Sequence, residues 1–298
     1  MINGILNVNK PKGWTSQDVC AKLRSRLHIK KIGHTGTLDP MATGVLPICI
    51  GKSTRIIEYY DADYKSYHAE MKLGLTTDTL DITGEVLETA SYAEVTENAA
   101  QEAFKAYTGI VKQIPPKYSA LRVDGKRAYE LAREGKDFEL AAREIEIVRN
   151  EITSINLDEG IIEFDVTCSK GTYIRTMIDD IGRELGCGAA MTALIRTGSG
   201  YFKIEEAYEL SDLIEMSDEE LEKCVIPMDI TLINLGKAIL DDNRVTAFIN
   251  GNSTGQGCYK VSEGSNFKKF YRVYSNGSFL GIASIENNSL IPRKVITD

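Results

Sequence analysis

Residues 161–188, IIEFDVTCSKGTYIRTMIDDIGRELGCG, hold the patterns of one strand and one helix in succession. From Ile162 to Cys168 every second side chain is apolar, which predicts a strand with one buried face. The apolar residues that follow recur at helical spacing and define one face: Ile174, Ile178, Ile181 and Leu185. Gly186 and Gly188 come directly after this face, as expected at the end of a helix. The stretch therefore predicts an amphipathic strand followed by an amphipathic helix.

The same two patterns recur towards the N-terminus. Residues 5–10 and 67–73 predict strands, whereas Thr15 or Ser16, and later Thr96, are suited to cap two further helices. Strands and helices are mixed without strict alternation. We therefore expect an α+β fold in which helices flank a mixed, largely antiparallel sheet.

Towards the C-terminus the pattern of predicted elements changes. Glycine-rich turns separate short predicted strands at residues 270–274 and 279–283, and residues 241–248 predict a short helix. We expect one large domain over residues 1–235 and a small β-rich domain over residues 236–298.

Composition narrows the class of protein. The chain has 298 residues, a formal net charge of −8 and six cysteines, none of them in a Cys-x-x-Cys pair. A structural zinc site, another metal site or a disulfide framework is therefore not expected. No apolar run is long enough to span a bilayer, and the N-terminus lacks the pattern of a signal peptide. We expect a cytoplasmic protein without membrane contact.

Positive charge is concentrated near the N-terminus, although the whole chain is acidic. Seven basic residues lie between Asn9 and His34, against Asp18 alone, whereas residues 205–222 are strongly acidic. A polyanion responds to the local field at the surface where it docks, so the net charge does not exclude nucleic acid as a partner. We interpret the acidic segment as a solvated helix face that lies away from such a surface.

Residues 33–51 and 76–83 predict loops, and the first is the strongest candidate for chemistry. It begins GHTGTLDPMATGVLP, with glycines and prolines around one carboxylate, Asp39. The pattern fits either a tight Asp-Pro turn or a backbone that presents a reactive carboxylate. A phosphate-binding P-loop is disfavoured, because position 46, five residues before Gly51-Lys52, is leucine rather than glycine.

Several blocks, in order along the chain, resemble one family. Besides the 33–51 loop, they are NKPKG at 9–13, KSY at 65–67 with LG at 73–74 and TDT at 77–79, IPPKYSA at 114–120 with GKRAY at 125–129, and GTYIRT at 171–176 with Asp179-Asp180 and Gly182. Together they resemble the TruB family, which makes pseudouridine at position 55 in the T loop of tRNA. The similarity runs from about residue 3 to residue 235. The remainder resembles, more weakly, a PUA-type RNA-binding domain.

The resemblance implies a pseudouridine synthase fold and a set of active-site residues. The family's catalytic aspartate falls on Asp39, its aspartate-pairing arginine on Arg175, and its base-stacking tyrosine on Tyr67. The neighbouring strand tyrosine falls on Tyr173, and a leucine that lines the pocket falls on Leu194. From pattern alone, a turn, ordinary packing or a solvated surface is the default interpretation of these residues.

The chemistry implied by the resemblance suits these residue types. Isomerisation of uridine breaks the bond between C1′ and N1 and joins C5 to C1′, so neither a redox cofactor nor ATP is required, and no cofactor is expected. Asp39 could attack C1′ or remove a sugar proton, and the sequence does not choose between these routes. Both routes need an ionised carboxylate, which burial disfavours and a neighbouring guanidinium such as that of Arg175 favours.

The resemblance also implies a surface that faces tRNA. His34 matches the loop histidine that the family uses near the everted nucleotide. Basic residues beside the motifs are candidate phosphate contacts, above all Lys10, Lys12, Lys126 and Arg127. Residues 109–143 are expected to form an insertion that closes over the RNA. In the C-terminal part, Lys268, Lys269 and Arg272 are candidates for contact with the acceptor stem.

Two other functions remain open at this point. A non-catalytic RNA-binding or tRNA-folding module would keep the basic surface without depending on Asp39. A related synthase directed by guide RNA would work inside a larger complex, but the chain lacks a long basic tail. We therefore expect a monomeric, stand-alone enzyme that acts on the T arm of tRNA and requires no protein partner.

Overall fold

The computed structural model describes residues 2–60, 64–263 and 270–296. The strands of the first 235 residues are β1 (Gly4–Lys10), β2 (Ile32–His34), β3 (Thr43–Ile50), β4 (Tyr64–Leu73), β5 (Leu75–Thr77), β6 (Val86–Thr89), β7 (Gly109–Gln113), β8 (Arg122–Val123), β9 (Lys126–Arg127), β10 (Arg143–Asn156), β11 (Ile161–Ser169), β12 (Ala189–Ser199), β13 (Phe202–Lys203) and β14 (Tyr208–Glu209). The α-helices of this part are α1 (Ser16–Leu27), α2 (Glu97–Ala106), α3 (Ala128–Arg133), α4 (Ile174–Glu184), α5 (Leu210–Glu215) and α6 (Asp218–Cys224). Short 3₁₀ helices cover Gly51–Tyr59 and Ile204–Glu206.

One large sheet forms the centre of this part. Its strands lie in the order β14-β1-β3-β12-β4-β11-β10-β7, with β2 paired to β3 and β13 paired to β12. The β1–β14 and β3–β12 pairs are parallel, whereas the other pairs are antiparallel. The prediction of an α+β fold with a mixed, largely antiparallel sheet is confirmed.

The alternating sequences of β4 and β11 place their apolar side chains on one face of the sheet. Helix α4 covers this face with Met177, Ile178 and Ile181, none of which is exposed. Helix α2 adds Phe104, whose ring meets that of Phe164 edge to face at a centroid distance of 4.9 Å. This core fixes the start of α4, where Arg175 lies, against the strand that carries Tyr67.

A second core lies under α1. Thr15 caps this helix in a reciprocal capping box with Asp18, and the Val19 and Leu23 side chains are buried against β1 and β3. Helices α5 and α6 cover the same core, so the acidic segment is more than the solvated face we predicted. An ion pair of 2.7 Å between Arg26 and Asp218 connects α1 to this acidic segment.

The sequence misplaced two boundaries. Residues 45–50 were predicted as the end of a loop, but they belong to β3, which lies inside the sheet and is buried almost throughout. The insertion predicted at about 109–143 begins with the edge strand β7 and ends at the first residue of β10, and these two strands pair with each other. The segment that leaves the sheet is therefore 114–142, and it contains the β8–β9 hairpin and α3.

The C-terminal part forms a separate sheet, as predicted. Its elements are β15 (Gly236–Leu240), a 3₁₀ helix (Asp242–Arg244), α7 (Val245–Ile249), β16 (Tyr259–Glu263), β17 (Phe270–Ser275), β18 (Ser278–Glu286) and β19 (Ser289–Val295), with strand order β16-β15-β17-β18-β19. Ile282 and Ile296 pack with Ile5 and Val45 in one apolar cluster that joins the two sheets. Among the described residues, no helix is long and apolar enough to cross a membrane.

Candidate active site

Asp39 lies in the loop between β2 and β3, next to the buried guanidinium of Arg175. Its side chain is 38% exposed, and its carboxylate Oδ2 lies 3.0 Å from Nε of Arg175. Arg175 is in the first turn of α4 and its side chain is only 6% exposed. The carboxylate is thus open to an incoming molecule on one side and ion-paired on the other.

The remaining donors of Arg175 are also engaged. One terminal nitrogen donates to the carbonyl oxygen of Thr79 at 2.8 Å, and the other donates to that of Tyr118 at 3.0 Å. The buried carboxylate of Asp81 lies 3.7 Å from the first of these nitrogens. Arg175 is therefore held both by the loop that follows β5 and by the 114–142 segment.

The sequence pattern at 76–83 predicted only a polar loop and did not indicate that Asp81 belongs to the site. Its Oδ1 accepts hydrogen bonds from the Thr83 amide at 2.9 Å, the Thr83 hydroxyl at 2.5 Å and the Thr79 hydroxyl at 3.0 Å. These bonds compensate the burial of the carboxylate and orient its second oxygen towards Arg175. Nothing in the local pattern distinguishes this aspartate from one in an exposed turn.

Tyr67 lies on the buried face of β4, in the same apolar cluster as Leu38, Met41 and Leu194. Tyr67 and Leu194 are each 8% exposed, and Leu38 directly precedes Asp39. Burial raises the pKa of the Tyr67 phenol to about 12, while the nearby guanidinium of Arg196 opposes that shift. The structure thus brings Tyr67 and Leu194 into one cluster with the loop that carries Asp39.

Tyr173 lies at the N-cap of α4, two residues before Arg175. Its backbone exchanges two hydrogen bonds with the Gln113 side chain, at 2.8 and 3.0 Å, and the Arg143 guanidinium lies 4.9 Å from its ring centroid. These contacts tie the start of α4 to the edge strands at the base of the 114–142 segment. They fix the position of Tyr173 at the start of α4, close to Arg175 in the chain.

His34 ends β2 and lies directly before the Asp39 loop. One ring nitrogen, Nε2, lies 3.2 Å from the side-chain nitrogen of Gln17. Burial and the nearby charge of Arg196 lower the pKa of His34 below its ordinary value of 6.5. The ring is therefore neutral near pH 7, which suits stacking against a base better than attraction of a phosphate.

The prediction that Lys10 contacts RNA phosphate is wrong. Its side chain is completely buried, and its ammonium donates to the carbonyl oxygens of Pro11 at 2.9 Å, Trp14 at 2.7 Å and Pro40 at 3.2 Å. Desolvation lowers the pKa of this amine to about 8. Lys10 instead anchors the backbone next to Asp39 from beneath, a role that a local sequence pattern does not reveal.

Lys12, Lys126 and Arg127, which were also predicted to contact phosphate, are exposed. Lys12 lies in the turn after β1. Lys126 and Arg127 lie on the exposed hairpin of the 114–142 segment, where Lys126 is 3.6 Å from Glu134 and Arg127 donates to the carbonyl oxygen of Ala120 at 2.9 Å. In the C-terminal part, Lys268 and Lys269 lie outside the described residues, and Arg272 donates to the Asp229 carbonyl oxygen at 3.4 Å.

Gly44 lets β3 approach β12 closely beside the Asp39 loop. Its φ is +101°, and a Cβ at this position would lie 2.3 Å from the carbonyl oxygen of Arg196. We expect Gly44→Ala to lower the free energy of unfolding by about 2–5 kcal/mol, since it combines overpacking with backbone strain. Gly109→Ala is the matched control, because φ is +90° there but no atom lies within 4 Å. Equal losses in urea denaturation would contradict the close-approach explanation.

Family models match almost the whole chain in three consecutive parts. The TruB family pseudouridylate synthase N-terminal domain matches residues 24–174, the tRNA pseudouridylate synthase B C-terminal domain matches 175–233, and the pseudouridine synthase II TruB C-terminal domain matches 236–296. The last match coincides with the second sheet.

Curated relatives and solved structures agree with these matches. A tRNA pseudouridine synthase B from Alkaliphilus oremlandii is 46% identical over 253 residues, which cover 84% of this chain and 82% of the relative. Another, from Clostridium perfringens, is 41% identical over 298 residues and covers 100% of both chains. A chain in the crystal structure of a Cbf5–Nop10–Gar1 complex is 26% identical, with a TM-score of 0.75 over 99% of this chain and 84% of that one. This chain belongs to the TruB family of tRNA pseudouridine synthases.

Proposed function

We propose that this enzyme isomerises the uridine at position 55 in the T loop of tRNA, with Asp39 as its essential carboxylate. The observation that carries the proposal is the 3.0 Å ion pair between the partly exposed Asp39 and the buried Arg175. A guanidinium at this distance forms a charge-assisted hydrogen bond with a carboxylate and orients it, and both attack on C1′ and removal of a sugar proton require a carboxylate held in place. The two routes remain alternatives in this proposal.

The side chains near Asp39 suit an everted base. Tyr67 and Leu194 provide an apolar surface on one side of the loop, and base stacking on an aromatic ring contributes about 1–3 kcal/mol. A base inside a stacked RNA helix is out of reach of a carboxylate, so the nucleotide must turn out of the stack. His34, at the start of the loop, is placed to occupy or border the vacated space.

The tRNA surface is proposed to combine exposed cations with the 114–142 segment. Lys12 precedes Gly13, whose amide donates to the carbonyl oxygen of Pro40 in the Asp39 loop at 2.7 Å, whereas Lys126 and Arg127 lie on the β8–β9 hairpin. The carbonyl oxygen of Tyr118 in this segment accepts a hydrogen bond from Arg175. Closure of the segment over RNA would therefore change the surroundings of the ion pair between Arg175 and Asp39. We further propose that residues 1–235 carry out the reaction and that residues 236–298 bind RNA.

We propose a monomer that acts without guide RNA or a protein partner. The Cbf5 chain of similar fold was solved together with Nop10 and Gar1. The two relatives with higher identity, which match 84% and 100% of this chain, are instead named as tRNA pseudouridine synthases. Activity of the purified chain alone on a tRNA transcript is therefore the expected result.

The test uses a tRNA transcript labelled with tritium at C5 of uridine. Formation of pseudouridine replaces the C5 hydrogen, so we expect release of one equivalent of tritium per tRNA. A transcript with cytidine at position 55 is the matched control and should release none. Tritium release from this control would show that the enzyme modifies another uridine. Absence of release from both transcripts would overturn the proposed reaction.

A further inference from the structure

Two cations converge on Gly36, three residues before Asp39, at a point to which the site as outlined so far gives no part in the reaction. A Cβ placed on Gly36 would lie 3.0 Å from the ammonium nitrogen of Lys65 and 3.8 Å from a terminal nitrogen of Arg196. Gly36 and Lys65 are partly exposed and Thr37 is exposed, so this point is open to solvent. Because each cation attracts negative charge, an anion placed here would be held by both.

Lys65 lies on the face of β4 that carries Tyr67. Side chains alternate along this strand, and Lys65 belongs by its position to the inner face, on which Tyr67, Ala69 and Met71 are buried. Residues two apart on a strand are about 7 Å from each other, so Lys65 is the next inner-face residue beside Tyr67. A uracil stacked on the Tyr67 ring would therefore place the phosphates of its own nucleotide within reach of the long lysine side chain.

Arg196 fixes the other side of the same point. Its terminal nitrogens donate to the carbonyl oxygens of Gly36 at 3.2 Å and Thr37 at 3.4 Å. The side chain is completely buried, so its charge is screened less than that of a surface arginine. Burial lowers the pKa of His34, and the charges of Arg196 and Lys65 lower it further. The positive field of the two cations thus extends along the start of the Asp39 loop.

We propose that Lys65 and Arg196 form, beside Gly36, a subsite for a phosphate that flanks the target uridine. The inference rests on the proposed function and assigns a further group of the same substrate to the site. Lysine binds phosphate as a compact point charge, and such a contact positions the nucleotide without reading its base. Asp39 is the one carboxylate within residues 33–51 and is paired with Arg175, so a phosphate at Gly36 meets mainly positive charge.

The experiment uses synthetic T-arm stem-loops and measures single-turnover formation of pseudouridine at increasing enzyme concentrations. We expect Lys65→Met to raise the half-saturating concentration by about 10-fold, as for loss of one charge-assisted hydrogen bond. Its dependence on salt, plotted on logarithmic axes, should become shallower by about 0.7, the value for one phosphate of a single strand. Lys72→Met is the matched control and should change neither quantity, because Lys72 lies on the opposite face of β4 and donates to the Glu159 carbonyl oxygen.

A second substitution tests the same point from the loop. Gly36 does not have a left-handed backbone, so Gly36→Ala is not strained, and its methyl group would press only on the flexible end of Lys65 and on the Arg196 guanidinium. We expect this variant to unfold in urea like the unaltered protein and to raise the half-saturating concentration as Lys65→Met does. If Lys65→Met shows no cooperative unfolding, Gly36→Ala takes its place in every measurement.

Neutral phosphate analogues identify the group that is bound. A methylphosphonate on the 5′ or the 3′ side of the target uridine should raise the half-saturating concentration of the unaltered enzyme by about 10-fold at one of these two positions. At that position it should add nothing further in Lys65→Met, because both changes remove the same contact.

Effects of Lys65→Met and the methylphosphonates that multiply independently at both positions would overturn the inference. An unchanged half-saturating concentration in Lys65→Met would overturn it as well. Either result, obtained while the unaltered enzyme converts the stem-loop normally, leaves the proposed function intact. Failure of the unaltered enzyme to form pseudouridine is a separate outcome, because it contradicts the proposed function itself.

Discussion

Asp39→Asn is expected to lower the rate of tritium release by on the order of 10⁴-fold or more, the scale for loss of an essential catalytic group. Asparagine has nearly the same shape, and its side-chain oxygen can still accept from Arg175 Nε at the 3.0 Å position. It neither attacks C1′ as an anion nor takes a proton from the sugar. The expected result is thus a folded protein that binds tRNA and fails at the chemical step.

The binding measurement separates this outcome from unfolding. Removal of one negative charge beside the RNA should leave tRNA affinity unchanged or slightly tighter, as measured by filter retention at fixed salt. Asp158→Asn, in an exposed turn between β10 and β11, is the matched control and should keep full activity. Normal turnover by Asp39→Asn would require another group to carry out the reaction, and a non-catalytic RNA-binding role would then regain support.

Local patterns sufficed for elements with one buried face. Alternation at 67–73 and 162–168 and the spacing from Ile174 to Leu185 predicted strands and a helix that the structure contains. The pattern failed for β3, which is buried on both faces and so lacks alternation. Pro47 in its middle also suggested a loop, because proline is unusual inside a sheet.

The site was predictable only where the family resemblance supplied residues. Asp39, Arg175 and Tyr67 are distant in sequence, and only the packing of α4 and β12 around β4 brings them together. Lys10 was misinterpreted, and Asp81 was overlooked, for one physical reason. The sequence shows that a residue is charged, but not whether its side chain lies in a turn, on the surface or in the core. The partners of a buried charge come from other elements of the fold. The sequence pattern records periodic burial of apolar residues, not the pairing of buried charges.

Arg175 should produce the second large effect. Arg175→Lys keeps the charge but cannot reach Asp39 and the carbonyl oxygens of Thr79 and Tyr118 at once, because lysine has one compact ammonium group. We expect its single-turnover rate to fall by about 10²–10³-fold, as for loss of a preorganised donor at a reacting centre. Arg175→Met should be slower still, because Asp39 then loses its ion-pair partner altogether.

Stability offers a way to separate the catalytic from the structural contribution of Arg175. Arg175→Met leaves the Asp81 carboxylate, which is only 7% exposed, without its cation, and should lower the free energy of unfolding by about 3–5 kcal/mol. Arg175→Met combined with Asp81→Asn removes that buried charge while keeping an acceptor for the Thr83 amide. The double variant should therefore recover much of the stability in urea denaturation.

Activity should not follow stability in this pair of variants. The double variant still lacks the guanidinium 3.0 Å from Asp39, so its tritium release should stay as slow as that of Arg175→Met although the fold is restored. Recovery of the rate along with the stability would mean that Arg175 serves only to hold α4 and the Asp81 loop together. In that case the ion pair would have no part in the mechanism, and Asp39 would have to be oriented towards the sugar by another group.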